Sequence, residues 1–266
     1  MGIVPFPSLL LRVLTLAVTM APFGTIYSYP NNPRVLKVQH DPTIRLKEKP
    51  IAEWNKQTQA AANLNNLEIT HAPFEMGKSN KSPSFLAKFP HGKVPAFETP
   101  DGKVRIIESD AITQYVAESG PASAQLLGRD AVERAMIRQW IVFAEGEVMS
   151  SVVRLAMWRV GLRGYDENME TTGMASLERA VGFLETHLIN REKEGKKWLA
   201  TEEKLSLADI SVASALIWGF SMIIDAEMRP RFPTVLAWYD RTLASEGVKQ
   251  AFGEKKFIEK RKAPPA

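Results

Sequence analysis

Two short runs in the first half of the chain carry residue types suited to gripping a small zwitterionic peptide. In Gly92-Lys93-Val94-Pro95, a proline stands directly before strand-forming residues. Proline brings no N–H of its own, and the bond before it takes the cis form at low cost. A cis bond would turn the amide and carbonyl of Val94 outward, where they could pair with an extended ligand as another strand would. Lys93 could meet a carboxylate at that ligand's end. The same residues also fit a plain loop-to-strand turn. In Glu108-Ser109-Asp110-Ala111-Ile112, Ser109 sits at the start of a predicted helix. Its hydroxyl, its backbone N–H and the helix dipole together make an anion site, and the neighbouring Glu108 could take an ammonium. An amino-acid head suits this corner; an ordinary helix cap is the plainer alternative.

A third run, Ser206-Leu207-Ala208-Asp209-Ile210, places Ser and Asp three apart at the mouth of an apolar helix. This is a capping-box spacing with Asp in place of Glu, and it reads as structural rather than chemical.

The elements that must position these runs can be traced along the chain. Phe23–Tyr29 is a predicted strand, followed by the turn cluster Pro30-Asn31-Asn32-Pro33 and a helix beginning at Arg34. His40–Gln59 contains Pro42 and Pro50 and has no sustained apolar period. Joining its flanks gives one sensible helix, so 40–59 reads as an insertion of the kind a translated intron leaves. Leu67–His71 is a second strand and Ser82–Phe89 a short helix. Val94–Phe97 and Val104–Ile107 bracket the turn Pro100-Asp101-Gly102 as an antiparallel hairpin, and Ser109–Glu118 is helical. The order β-α-β-α-β-β-α is that of a thioredoxin-like domain, over residues 20–119.

Beyond Gly120-Pro121 the pattern is helical throughout. Ile137, Ile141, Ala144, Val148, Val152 and Leu155 form one stripe; Met174, Leu177, Val181, Leu184 and Leu188 form another. Both read as core. Leu207–Ile224 is nearly all apolar, which marks a helix buried on most sides, and Thr234–Leu243 is a further helix. The fold class is therefore α/β plus all-α. A thioredoxin-like N-terminal domain precedes a helical bundle over 126–258, and 259–266 reads as a linker-like tail.

Bulk properties exclude several functions. The 266 residues suffice for two modest domains with a real core, and the chain has no cysteine. That rules out disulfides, thiolate metal sites and a cysteine nucleophile. Four histidines show no metal-ligand spacing. The net charge of +4 comes largely from Lys255, Lys256, Lys260, Arg261 and Lys262, a solvated basic end rather than a nucleic-acid surface. Residues 1–19 are apolar, but Pro5, Pro7 and the mid-run Arg12 fit neither a signal peptide nor a membrane span. The alternative start is Met20, with 1–19 as an apolar lead.

Gly92-Lys-Val-Pro95, Glu108-Ser-Asp-Ala-Ile112 and Leu205-Ser-Leu-Ala-Asp-Ile210, in that order, resemble the cytosolic glutathione transferases. The resemblance runs from Phe23 to about Ile258, apart from the insertion. Phe23-Gly-Thr-Ile-Tyr-Ser-Tyr29, Gln139-Trp-Ile-Val-Phe-Ala144 and Phe232-Pro-Thr-Val-Leu-Ala-Trp-Tyr239 are most similar to the transferase-like domain of the elongation factor 1B gamma subunit. Fungal stand-alone transferases of similar type occur in pathways for polyketide-like natural products.

The resemblance implies glutathione as co-substrate. Val94 and Pro95 would hold its cysteinyl backbone, Glu108 and Ser109 its γ-glutamyl group, and Lys93 would face its glycyl carboxylate. Ser206 and Asp209 would be the buried cap of the helical core. Transferases favour the thiolate by donating a hydroxyl to the sulfur from the end of the first strand or the turn after it. Here Ser28 is the first candidate and the Asn31 amide the next, with Tyr27 and Tyr29 on the opposite strand face from Ser28. Trp140, Phe143 and Trp158 are candidates for the apolar wall of a second-substrate pocket. The resemblance further implies a cytoplasmic homodimer, with neither nucleic acid nor membrane as partner.

Two functions follow. One is a transferase acting on an electrophilic small molecule. The other is a gamma-like scaffold of a translation complex, which would pair with translation-factor subunits. The gamma subunit continues past a Lys/Pro-rich linker into a further domain, and this chain stops at Ala266 where that linker would begin, which favours the transferase. A pseudoenzyme is the third reading, because the insertion would split the helix beside the site.

Overall fold

The computed structural model describes residues 21–29 and 56–265. The apolar lead, the turn holding Asn31 and residues 40–55 of the suspected insertion lie outside the described residues.

The first half is a four-stranded sheet with helices packed on it. In chain order it runs β1 (Gly24–Tyr27), α1 (Lys56–Leu64), β2 (Ile69–His71), α2 (Pro83–Lys88), β3 (Ala96–Glu98), β4 (Arg105–Ile107) and α3 (Ser109–Glu118). The strand order is β2-β1-β3-β4. β1 is parallel to β2 and antiparallel to β3, with Tyr27 opposite Ala96; β3 and β4 form the expected hairpin. Gly24 is required by close approach: a Cβ there would lie 2.1 Å from the Phe97 ring.

Side-chain geometry explains where these elements start and how they lock. Pro83 takes the first turn of α2, and the Ser82 hydroxyl accepts from the Phe85 N–H at 3.2 Å. Ala60, Ala61 and Ala62 are fully buried, so α1 can lie close against its neighbours. Glu98 on β3 is the electrostatic pin of the sheet. It accepts from Lys88 of α2 at 2.5 Å, Arg105 of β4 at 2.9 Å and the Tyr27 hydroxyl at 3.2 Å. Burial pushes its carboxyl up, but the bonds from Lys88 and Arg105 more than reverse this and hold it below its ordinary value.

The second half is helical: α4 (Ser123–Leu127), α5 (Ala131–Phe143), a π-helical segment (Ala144–Met149), α6 (Ser150–Arg159), α7 (Glu167–Lys193), α8 (Leu207–Met222), α9 (Pro233–Ala244) and α10 (Val248–Phe252). Asp130 caps α5 by accepting from the Val132 and Glu133 N–H groups, and Asp166 caps α7 by accepting from Met169. Both sequence stripes face inward: Ile137, Ile141, Ala144, Val148, Val152 and Leu155 are buried, as are Leu177, Val181, Leu184 and Leu188. None of the described helices is long and apolar enough to cross a membrane.

The two halves share one continuous core. Lys56 Nζ donates to the Phe252 carbonyl at 2.7 Å, and Asn63 Nδ2 donates to the Gly247 carbonyl at 2.8 Å. Asn65 is buried at the bend between the halves. It donates to the Val116 and Ala117 carbonyls that end α3 and accepts from the Ala122 N–H.

Three boundaries need correction. The last four residues of the suspected insertion, Lys56–Gln59, form the first turn of α1. Thr58 Oγ1 pairs with Thr113 Oγ1 at 2.7 Å in the core, and Gln57 donates to Asp110 at 3.2 Å. Residue 126 falls inside α4 and not before it. The tail is not free from 259 onward: Ala226 N–H donates to the Glu259 carbonyl, Arg261 pairs with Asp225 at 3.6 Å, and Lys262 lies over the Trp158 ring at 5.2 Å. A Lys/Arg-rich composition looked unable to pack, yet its cations find a carboxylate and an aromatic face.

Candidate functional site

The two chemistry-bearing runs meet at one cleft of about 230 Å³. The segment entering β3 supplies His91, Lys93, Val94 and Pro95. The β4–α3 corner supplies Ile107, Glu108, Ser109 and Asp110, and Glu145 reaches in from the π-helical segment of the other half.

Each wall has a local cause. The Val94–Pro95 peptide is cis, as its position before the strand suggested. At the facing wall, Glu108 holds φ 69°, ψ 123°, a left-handed backbone that a non-glycine residue takes only at a cost. That turn makes Glu108 the cap residue of α3 and Ser109 its first helical residue, so the helix starts one position earlier than a Ser109 cap would have it. Glu108 makes no side-chain cap bond. The N-terminal N–H groups of α3 therefore point toward the cleft, where an anion is favoured.

The polar groups at this corner are held ready. Ser109 is only 5% exposed, and its hydroxyl makes no hydrogen bond among the described residues. The Lys93 and Glu108 side chains are exposed and likewise make no ion pair among the described residues. An exposed cation, an exposed anion and a helix N-terminus thus line one cleft.

The remaining sequence candidates are placed differently. Ser28 is fully buried and does not line the cleft; it continues the inward face of β1 set by Gly24 and Ile26. The Tyr27 hydroxyl is committed to Glu98. Burial pushes the Tyr29 phenol up to about 12, so it stays protonated at neutral pH. Trp140, Phe143 and Trp158 do not line the cleft. Trp140 is buried against Phe143, Phe183 and His187, with ring centroids 5.2, 5.7 and 4.5 Å away. Trp158 donates to Glu170 at 2.8 Å and packs edge-on to Tyr165. Trp140 and Trp158 are buried and Phe143 is half-buried. Ser206 and Asp209 sit fully buried at the start of α8 in a capping box. Asp209 accepts from the N–H groups of Ser206 at 2.9 Å and Leu199 at 3.0 Å.

Sequence reasoning missed His91, Asp110 and Glu145 as cleft residues. His91 flanks the Gly92–Pro95 run and Asp110 lies within the Glu108–Ile112 run, so adjacency was the available signal. Glu145 had none, because it comes to the cleft from the π-helical segment of the other half.

The comparisons agree with this architecture. Residues 48–118 match the model of the glutathione S-transferase N-terminal domain and residues 148–246 that of the C-terminal domain. A glutathione S-transferase-like protein of Aspergillus aculeatus is 53% identical over 205 residues, 77% of this chain and 94% of that protein. The structure of the transferase-like domain of elongation factor 1-gamma from Saccharomyces cerevisiae superposes with a TM-score of 0.72 at 23% identity, covering 92% of this chain and all of that one. The glutathione transferase URE2P6 of Phanerochaete chrysosporium, solved with oxidized glutathione, gives 0.68 at 16% identity over 86% of this chain and 94% of its own. Two matched domains and a relative more than half identical across nearly its whole length establish that the chain belongs to the glutathione S-transferase family.

Proposed function

We propose that the protein binds glutathione in the cleft between the Val94–Pro95 edge and the α3 N-terminus, and presents its thiol to an electrophilic apolar small molecule. The observation that carries this is the nearly buried Ser109 hydroxyl at a helix start, beside a strained Glu108 and across one cleft from the cis Val94–Pro95 peptide. The γ-glutamyl carboxylate takes the helix N-terminus, the ammonium takes Glu108, the cysteinyl backbone pairs with Val94, and the glycyl carboxylate meets Lys93. A solved protein of the same fold holds oxidized glutathione, and the Aspergillus aculeatus relative carries the glutathione S-transferase-like name.

Antiparallel register puts Tyr27 opposite Ala96, so the next residues of β1 run beside Pro95. The cysteinyl sulfur therefore lies toward the end of β1. With Ser28 buried, we assign the donor to the sulfur to Asn31. The same reading carries a cytoplasmic homodimer.

Glutathione-agarose retention tests the pose. The protein is retained, and Ser109→Ala weakens binding by about tenfold, the worth of one charge-assisted hydrogen bond. Retention unchanged by that substitution would count against it. Conjugation of a chloronitrobenzene tests turnover, and Asn31→Ala lowers kcat more than it raises KM.

A second reading is a glutathione-binding scaffold without turnover, like the elongation factor domain in shape. The commitment of Tyr27 to Glu98 and the burial of Ser28 favour it. Retention on glutathione without conjugation, and capture of a nucleotide-exchange subunit, would support it.

A further inference from the structure

The two walls of the cleft rest on different packed bodies. Among the described residues, Phe85, Phe89 and Ala96 form a small core of their own, with Phe74, Tyr27 and Val94 packed against it. The wall that carries Lys93, Val94 and Pro95 rides on this core. The β4–α3 corner belongs instead to the continuous core, through Ile106, Ile112 and Val116. The β3–β4 ladder ends with Ala96 opposite Ile107, so both walls start where the bonds between these strands stop.

One carboxylate spans the two bodies. Glu98 is only 7% exposed and lies outside the cleft lining. Its Oε2 accepts from Lys88 Nζ at 2.5 Å, and Lys88 ends α2 just before the turn to Lys93. Its Oε1 accepts from Arg105 Nε at 2.9 Å, and Arg105 opens β4, which runs into Glu108 and Ser109. One oxygen therefore holds each wall. The Tyr27 hydroxyl donates to Oε2 at 3.2 Å, and the Tyr27 ring lies edge-on to Phe85 and Phe89 at 5.6 and 5.7 Å. The first wall is braced as a unit. Asn80 Nδ2 donates to the Gly92 carbonyl at 2.9 Å, and Asn80 Oδ1 accepts from the Gly77 N–H at 2.7 Å. A tie at Lys88 thus acts on the whole segment up to the cleft.

We propose that Glu98 is a positioning residue, which never touches the ligand but fixes the spacing of the two walls that grip it. The proposal rests on the glutathione reading above. An extended ligand held at both ends binds best to walls already at the right distance. A loosened wall must be ordered on binding, and affinity falls. Each tie is a charge-assisted bond from a partly exposed cation to a nearly buried carboxylate. Its loss is expected to weaken the grip about threefold to tenfold.

The test leaves buried Glu98 in place and cuts its ties one at a time from the exposed side. Titration calorimetry with glutathione, on the full chain, gives binding about threefold to tenfold weaker in Lys88→Met and in Arg105→Met. Amide exchange quickens over residues 85–94 in the first variant and over 105–109 in the second. Lys88→Arg and Arg105→Lys, which keep the ties, retain the parent's values in both readouts. Lys255→Met breaks a comparably exposed pair with Asp240 outside the cleft lining and changes neither. Unchanged affinity in Lys88→Met or in Arg105→Met, even with quickened exchange, makes Glu98 merely structural and overturns the assignment while the glutathione site stands. Weakening that persists in Lys88→Arg and Arg105→Lys overturns it as well. No binding of glutathione by the parent chain overturns both readings.

Discussion

Trp238 Nε1 donates to Asp209 Oδ1 at 2.9 Å, joining the middle of α9 to the first turn of α8 through two fully buried side chains. The other Asp209 contacts come from Ser206 and Leu199, so one carboxylate organises the α8 start, the segment before it and the helix beside it. Burial pushes this carboxyl up and the donors around it oppose the shift. Asp209→Ala strands three N–H groups in the core and should cost about 3–5 kcal/mol. Asp209→Asn, which keeps the shape, should cost less. Urea midpoints of the two variants check the order.

Lys56 and Thr58 mark where α1 becomes part of the shared core. Lys56→Met removes the bond to the Phe252 carbonyl and should destabilise by about 1–3 kcal/mol. Thr58→Ala breaks a hydroxyl pair with Thr113 and should cost about 1–2 kcal/mol. Chemical denaturation measures both; wild-type stability in the two variants would mean that α1 is not docked as described.

Glu108 holds a backbone conformation unsuited to its side chain. Glu108→Gly should raise stability by about 1 kcal/mol through relief of that strain. It should also weaken glutathione binding, because the ammonium loses its carboxylate. Thermal melts and calorimetry on one sample give the two opposite signs.

The Arg159–Glu170 pair makes acid stability predictable. Arg159 is 3% exposed and reaches both oxygens of Glu170, with Trp158 Nε1 as a third donor. Burial pushes the Glu170 carboxyl up, but the Arg159 and Trp158 bonds outweigh it and hold it below its ordinary 4.5. A carboxylate depressed in the folded state contributes stability in full above its unfolded value, and loses it as pH falls through the folded value. Glu170→Gln should therefore be less stable than wild type at pH 7. Its stability should fall less steeply than wild type's below about pH 4.5. Denaturant titrations from pH 7 to pH 3 compare the slopes.

Much of this could be read in advance. Alternating and helical apolar periods located the β3–β4 hairpin, α3 and the two inward stripes, because periodicity reports directly which face of an element must leave water. Ser206 and Asp209 were legible as a cap for a similar reason: a helix end has a fixed set of unpaired N–H groups three residues apart. The Lys93–Pro95 and Glu108–Ser109 runs were legible as halves of one grip because each advertises local backbone chemistry.

Periodicity is silent about which element covers which, and there the reading stopped. Trp140 and Trp158 are as aromatic in a core as in a pocket wall, and their contacts with Phe183 and Glu170 come only from the tertiary packing. Ser28 alternates correctly along β1, but its full burial is set by the tertiary packing. Local order along the chain thus determined the elements, their ends and the two halves of the grip. The assembly of sheet and bundle decided the cleft itself, because Glu145 and Ser109 are brought to one place by long-range burial, which no local pattern encodes.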